Sequence, residues 1–481
     1  MKRDWTSRSA ILLVALILVA INLAGLNLFA RVDLTDDNVY SLADASIDLV
    51  ENLEDPVTVT AFFTDDLPAP YSGNRRFLKD KLDDYAAYGG QNFQYRFVDP
   101  ATDADTRTEV QRYRIPPVQI QVIEQDNVQL KNAYMGVAIE YAGEREIIPV
   151  VQDLSTLEYD ITSAMRRLTR ETDPVVGFLT GHGEPSIDQE MSSLRQGLSR
   201  NYDVRSVEIE DGELTTVPDV LMVVAPTDTL GEAELRALDD YVMQGGRLGL
   251  LLNRVSANLQ AQQASALDIG LDPWLESYGI RVSANLIMDE SSSVVTVQRR
   301  QSFFNLAQQI PYPFFPVVTR FDDNNMMVNR LRELAFYFAS SIDTSLTVPE
   351  GVDREILFTS SQNSTVQQNV FFIQPVLQQN EFDFDGGPYP MAMALRGSFP
   401  SAFDDGLTGV ESRIVVVGDG DFVNETMVGQ IPNNTRFVLN MVDWLVQDDG
   451  LLTIRAKSIA PRRLDDVPDA WKPVVKYANL L

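Results

Sequence analysis

An α/β protein carried on one N-terminal membrane helix is predicted by three features of the chain. Residues Ser9 to Ala30, "SAILLVALILVAINLAGLNLFA", contain no charge, and ~20 apolar residues are what a spanning helix needs. The run "PVVGFLTG" is apolar without alternation, as in a parallel strand covered on both faces, and "SRIVVVGDGDFVNE" repeats that pattern. Between them strands alternate with helical patterns of ~10–15 residues, which is the rhythm of βαβ units in a doubly wound sheet.

The N-terminus comes first. Its apolar run exceeds the ~7–15 residues of a signal-peptide core, and Leu28 before Ala30 makes a poor cleavage site, so an uncleaved anchor is expected over 10–30. The alternative is a buried core helix, but the run is apolar on every face. Lys2, Arg3 and Arg8 precede it, and Asp33, Asp36 and Asp37 follow. Positive-inside logic therefore puts residues 1–9 in the cytoplasm and the bulk of the chain outside, in the periplasm of a Gram-negative cell.

The next region, 36–172, opens with a helix in "SLADASIDLVENLE", broken at Pro56 before the strand "VTVTAFF". A helix from Arg75 to Tyr88 ends at Gly89 and Gly90. The strand "FQYRFV", a short helix from Thr106 to Tyr113, and a third strand "VQIQVIE" entered from Pro116 and Pro117 follow. A hairpin turning at Ala142 and Gly143 and a helix from Asp153 to Arg170 complete the region. The order β-α-β-α-β-β-α resembles a thioredoxin-type domain, which implies a cis bond at Pro117. The two redox cysteines of that fold are absent, so a binding or docking module is expected.

The region 173–458 continues with a helix from Ile187 to Asn201, the strands "VRSVEIE" and "VPDVLMVVAP", a helix from Gly231 to Gln244 closed by Gly245 and Gly246, and the strand "RLGLLLN". A helix from Thr435 to Val446 follows "SRIVVVGDGDFVNE". Between these lies a long insertion, about 256–412, with helical spacing at Trp274, Leu275 and Tyr278 and with proline- and glycine-rich stretches that mark irregular structure. The tail 459–481 is basic and then amphipathic, either a terminus or the lead-in to a second membrane helix.

Composition narrows the chemistry. A chain of 481 residues with 44% hydrophobic and 22% charged residues has material for about two to four domains. A net charge of −30 argues against nucleic acid and is read as a solvated acidic surface. With no cysteine there is no disulfide, thiolate nucleophile or Cys-ligated metal. A single histidine rules out a multi-histidine site. Only a carboxylate site for a hard cation stays open, and no cofactor or metal is expected.

Two glycine turns follow strand C-termini, the edge where open α/β sheets bind ligands. Gly181, His182, Gly183 and Glu184 of the first turn and Asp419, Asp421 and Asn424 of the second are therefore the candidate ligand-binding residues of one shared crevice. The competing structural reading is that the glycines permit tight turns and the acids cap the helices that follow. No catalytic residue is assigned. The region resembles class I amidotransferase-like domains, whose nucleophile is a cysteine, and a serine triad would need His182 and a Gly-x-Ser-x-Gly elbow that the chain lacks. Nor is there a Walker A loop.

Several stretches together, "RVDLTDDNVYSLADAS", "VTVTAFFTDDLP", "VVGFLTGHGEP", "VVVGDGDFVNE", "NMVDWL" and "IRAKSIAPRRLDDV", resemble the GldG-type family, membrane-anchored auxiliary subunits of ABC transporters first associated with gliding motility. The resemblance implies a non-enzymatic scaffold or binding component beside a separate ABC permease and cytoplasmic ATPase, and leaves room for a homo-oligomer. Gliding itself is not implied. The rival expectation is an extracytoplasmic hydrolase, or a carbohydrate- or peptide-binding sensor, working at His182 and Glu184.

Overall fold

A computed structural model describes residues 41–450 and 454, apart from 66, 101–103, 125–126, 152–153, 155, 171, 302–303, 323–324, 330, 376–381, 405, 430 and 447–449. The expected membrane helix, 10–30, and the tail, 459–481, lie outside the described residues. Within them no helix is long and apolar enough to cross a membrane.

The chain is mixed α/β. Its first unit runs α1 (Asp44–Glu51), β1 (Val57–Phe63), α2 (Asn74–Gly89), β2 (Phe93–Val98), α3 (Ala104–Arg112), β3 (Val118–Glu124), β4 (Asn127–Ala133), β5 (Met135–Tyr141), β6 (Glu144–Ile148) and α4 (Leu157–Thr169). The sheet has the order β2-β1-β5-β6, with β2 parallel to β1 and the other pairs antiparallel. β1 is central because six of its seven residues are buried. The β5–β6 turn uses Ala142 at φ 49° and Gly143 at φ 90°, the backbone that a two-residue hairpin requires.

Two expectations for this unit are corrected. The strand entered from the prolines does not join the sheet: β3 pairs only with β4, as a separate hairpin, and the place beside β1 goes to β5. The pattern explains the choice. Met135 to Ile139 of β5 are all buried, whereas β3 alternates valine and isoleucine with glutamine and suits a strand with one covered face. The Pro116–Pro117 bond is trans; the cis bonds are Ala69–Pro70 and Gly387–Pro388.

A buried carboxylate fastens the first described helix. Glu158 of α4 accepts from the Ala43 amide at 2.6 Å and the Ser46 hydroxyl at 2.9 Å, capping α1 from a distance, while Lys81 of α2 donates to its other oxygen at 3.3 Å. Lys81 also donates to the Ser41 carbonyl, and Tyr85 and Thr162 complete the network. Lys81 is 4% and Glu158 7% exposed.

The second unit is built on β7 (Val175–Leu179), α5 (Ser192–Leu198), β8 (Asp203–Val207), β9 (Val220–Val224), α6 (Glu232–Met243) and β10 (Arg247–Leu251). The insertion contributes α7 (Asp272–Ser277), β11 (Asn285–Asp289), the long hairpin β12 (Ser292–Gln301) and β13 (Phe304–Val318), β14 (Val352–Thr359), β15 (Ser364–Gln368) and β16 (Pro390–Pro400). β17 (Thr408–Val417), α8 (Glu425–Val428) and α9 (Pro432–Val446) follow. The seven-stranded sheet has the order β14-β16-β17-β10-β9-β7-β8, parallel from β17 to β8 and antiparallel at β14 and β16. α5 and α9 cover one face through Leu194, Leu198, Phe437 and Met441; α6 and α7 cover the other through Leu238, Val242, Trp274 and Leu275.

The insertion is therefore not wholly a surface excursion. β14 and β16 extend the central sheet, and Met391 to Leu395 are all buried. The helix expected over Ile187–Asn201 contracts to α5, because Ser186 to Glu190 close a turn: the Glu190 amide donates to the Ser186 carbonyl and its carboxylate takes the Ser186 amide.

Removing one partner of a buried ion pair costs about 3–5 kcal/mol. Glu158→Ala is expected to destabilise the first unit by that amount, read from urea unfolding, with hydrogen exchange of α1 amides rising first. A loss below about 1 kcal/mol would show that the network does not anchor α1.

Candidate functional site

The parallel strands, taken in chain order β7, β8, β9, β10, β17, stand in the sheet as 2-1-3-4-5. In that arrangement the chain reverses direction between β7 and β9, and the crevice beyond their C-terminal ends is where ligands bind. The Gly181–Glu184 turn leaves β7 at this place, opposite the Ala225–Asp228 segment that leaves β9.

Here the turn closes the crevice with its own backbone. The His182 carbonyl accepts from the Thr227 amide at 2.8 Å and the Asp228 amide at 2.9 Å. Gly183, at φ 78°, lies so close that a Cβ would stand 2.0 Å from Thr227 Oγ1. The His182 side chain is buried between two carboxylates. Its Nε2 is 3.0 Å from Glu234 Oε1, and its Nδ1 is 3.4 Å from Glu184 Oε1. The other Glu184 oxygen accepts the His182 amide at 2.7 Å. Glu234 closes the first turn of α6 as well, taking the Gly231 amide at 2.6 Å. Burial pushes the Glu234 carboxyl up, but the Gly231 amide and the His182 ring outweigh it and hold the group below its ordinary value.

The second turn lies along the same edge. Gly420 fits beneath Ala225 and the Leu251 carbonyl, with room for a Cβ on neither side, and its amide donates to Asn253 Oδ1 at 2.7 Å. Asp419 is fully buried. One oxygen takes the amides of Asp421 and Phe422, and the other takes the Tyr337 amide at 2.6 Å. Burial first, and then the charge of Asp421, push the Asp419 carboxyl well above the usual carboxylate range despite those three amides. Asp421 is raised too, by burial, with Asn253 opposing. Asn424 caps α8 by accepting from the amides of Thr426 and Met427.

The seven residues thus share one sheet edge, with the Ala225–Thr227 segment between the two turns. Most of their polar groups are engaged in turn closure and capping, while His182 Nδ1 and Glu184 Oε1 face each other at 3.4 Å, buried and without a hydrogen-bond partner among the described residues. Cavities of about 320, 580 and 680 Å³ occur in the described residues, and none of the seven lines their walls. No cluster among the described residues is arranged to hold a metal ion. Both His182 ring nitrogens face carboxylates, and among the described contacts no hydroxyl is their partner.

Sequence reasoning missed Glu234, Thr227 and Asn253. The Gly231–Glu234 spacing signals a helix start, but no local signal pairs that glutamate with a histidine 52 positions earlier. It also missed the contact between the two units. There Tyr159 of α4 accepts from Asn201 Nδ2 at 2.5 Å, and Arg167 donates to the Arg200 carbonyl and, at 3.1 Å, to Asn201 Oδ1.

Comparison with known proteins places the chain in a class. A family described as an ABC-type uncharacterized transport system matches residues 173–441, the second unit with its insertion, and a domain of unknown function matches 36–140. The chain belongs to the former family and is an auxiliary component of an ABC-type transport system. An uncharacterized protein of Borreliella burgdorferi is 21% identical over 463 residues, covering 89% of this chain and 85% of its own length. Among solved structures, one described as the mmIFT52 N-terminal domain aligns over 56% of this chain and 96% of its own, at 13% identity and a TM-score of 0.36.

Two outcomes follow from the edge. A Cβ at Gly183 meets both a left-handed backbone and Thr227, so Gly183→Ala is expected to cost about 2 kcal/mol, with Thr227→Gly restoring part of it in urea unfolding. Because folded Asp419 holds its proton more tightly than an unfolded carboxyl of pKa about 4, stability falls as pH rises from that value toward the folded pKa. Asp419→Asn is expected to flatten the fall above about pH 4; an unchanged slope would sink the assignment.

Proposed function

We propose that the protein is a membrane-anchored, extracytoplasmic auxiliary subunit of the GldG type, a non-enzymatic scaffold or binding component that works with a separate permease and cytoplasmic ATPase. The observation that carries the reading is the family match over the second unit, joined to a charge-free segment at the N-terminus that is long enough to span a bilayer. Under this reading 10–30 is the anchor, the bulk of the chain is periplasmic, the first unit is a thioredoxin-like docking module without cysteines, and the second is an amidotransferase-like domain without the nucleophile.

The chemistry of the sheet edge supports a scaffold. A general base must reach the proton it removes. His182 is instead held between Glu184 and Glu234, and its carbonyl closes the switch point. Asp419 and Asn424 use their oxygens on backbone amides.

Affinity purification of the full chain from its native membrane is expected to bring down a permease and an ABC ATPase, and recovery of neither would overturn the assignment. Protease added to spheroplasts is expected to digest the body of the chain; protection would overturn the topology. His182→Ala is expected to leave complex formation intact. Loss of transport with expression and assembly unchanged would favour a ligand-handling role for the turn.

A further inference from the structure

The contact between the two units encloses a cleft of about 320 Å³. α4 supplies Tyr159 and Asp160, α5 supplies Gly197, the turn after α5 supplies Arg200, and α9 supplies Thr435 and Leu439. Small-molecule sites favour such places, where apolar walls from two bodies meet a few polar groups. The wall is mainly apolar: beside Tyr159 and Leu439 it has Ile431 and Pro432, and Gly197 lets α5 approach until a Cβ would stand 3.0 Å from both Leu439 methyls.

The charges on the rim are unlike the rest of the chain. In a protein of net charge −30, the cleft has two guanidiniums, Arg200 and Arg436, and one carboxylate, Asp160. That carboxylate is partly spent, since one oxygen takes the Thr156 hydroxyl at 2.9 Å. The Arg200 guanidinium is 4.0 Å from the other oxygen and its side chain is 61% exposed. A pair so long and so exposed holds the arginine weakly, leaving its planar fork free to take a carboxylate in two parallel hydrogen bonds.

Position adds a third observation. Tyr159, which forms part of the cleft wall, also packs against Ala43 and Ile454. The cleft therefore lies beside Ala43 and Ile454, residues near the two ends of the described chain.

We propose that this cleft is a binding site for an anionic single-chain amphiphile, a long-chain fatty acid, with its alkyl chain between α4, α5 and α9 and its carboxylate on Arg200. Because the ligand touches both units across their contact, it fixes their relative orientation. The proposal stands apart from the transport reading, since it needs only the two units and their cleft.

The test uses the full chain in membranes of the cells that express it. A fatty acid bearing a diazirine near its methyl end is photo-crosslinked, and labelled peptides are mapped by mass spectrometry. An alkanol diazirine of equal chain length is the uncharged control. Expected is labelling within 156–160, 193–200 and 431–439, about tenfold stronger for the acid than for the alkanol. Thr435→Trp, which fills the cleft, abolishes it. Arg200→Gln, at an exposed position that leaves folding intact, lowers acid labelling about tenfold and leaves alkanol labelling unchanged. Labelling elsewhere only, equal labelling by both probes, or labelling that survives Thr435→Trp overturns the proposal. Co-purification of the permease and ATPase with each variant keeps this outcome separate from the fate of the transport reading.

Discussion

The second unit depends on a parallel sheet buried on both faces. Parallel strands joined by helices have no solvent-facing side, so β7, β9, β10 and the C-terminal half of β17, Ile414 to Val417, are mostly apolar. Val220 to Val224 are all buried, as are Leu248 to Leu251. Two separate apolar clusters result, one under α5 and α9 and one under α6 and α7. Polar chemistry is displaced to the strand ends, where backbone groups need partners and where turns can be shaped.

Those strand ends use their polar groups to close the edge. The His182 carbonyl bonds two amides of the neighbouring loop, and Asp419 bonds three amides from two directions. A buried acceptor with several donors is costly to replace, because each donor left without a partner loses both water and its bond. The first unit shows the same economy at Glu158, which serves a helix N-terminus, a hydroxyl and a lysine at once. The contact between the units is held by Arg167, Tyr159 and Asn201 and flanked by the cleft.

Much of this was legible in the chain. "VVGFLTG" and "RIVVVGDG" announced buried parallel strands, and the glycine pairs after α2 and α6 announced where those helices end. Legibility fails at β3, which reads as the third strand of a thioredoxin-like domain but pairs with β4 outside the four-stranded sheet. A strand's pattern states which faces are covered, not which strand it pairs with. It failed again in the insertion, where Pro390–Pro400 joined the central sheet from far along the chain, and at Ile187–Asn201, where Glu190 turned back on Ser186 and shortened the helix.

What the sequence determined by itself is most of the strands and helices outside the insertion, the acidic charge, the absence of thiol chemistry and the placement of glycine–acid turns at strand ends, because these follow from local periodicity and side-chain inventory. Only the tertiary structure decided that His182 faces Glu234, that Asp419 holds Tyr337, and that Tyr159, Arg200 and Leu439 enclose a cleft. Those pairings join residues far apart in the chain, and the geometry that selects them exists only once both faces of the sheet are covered.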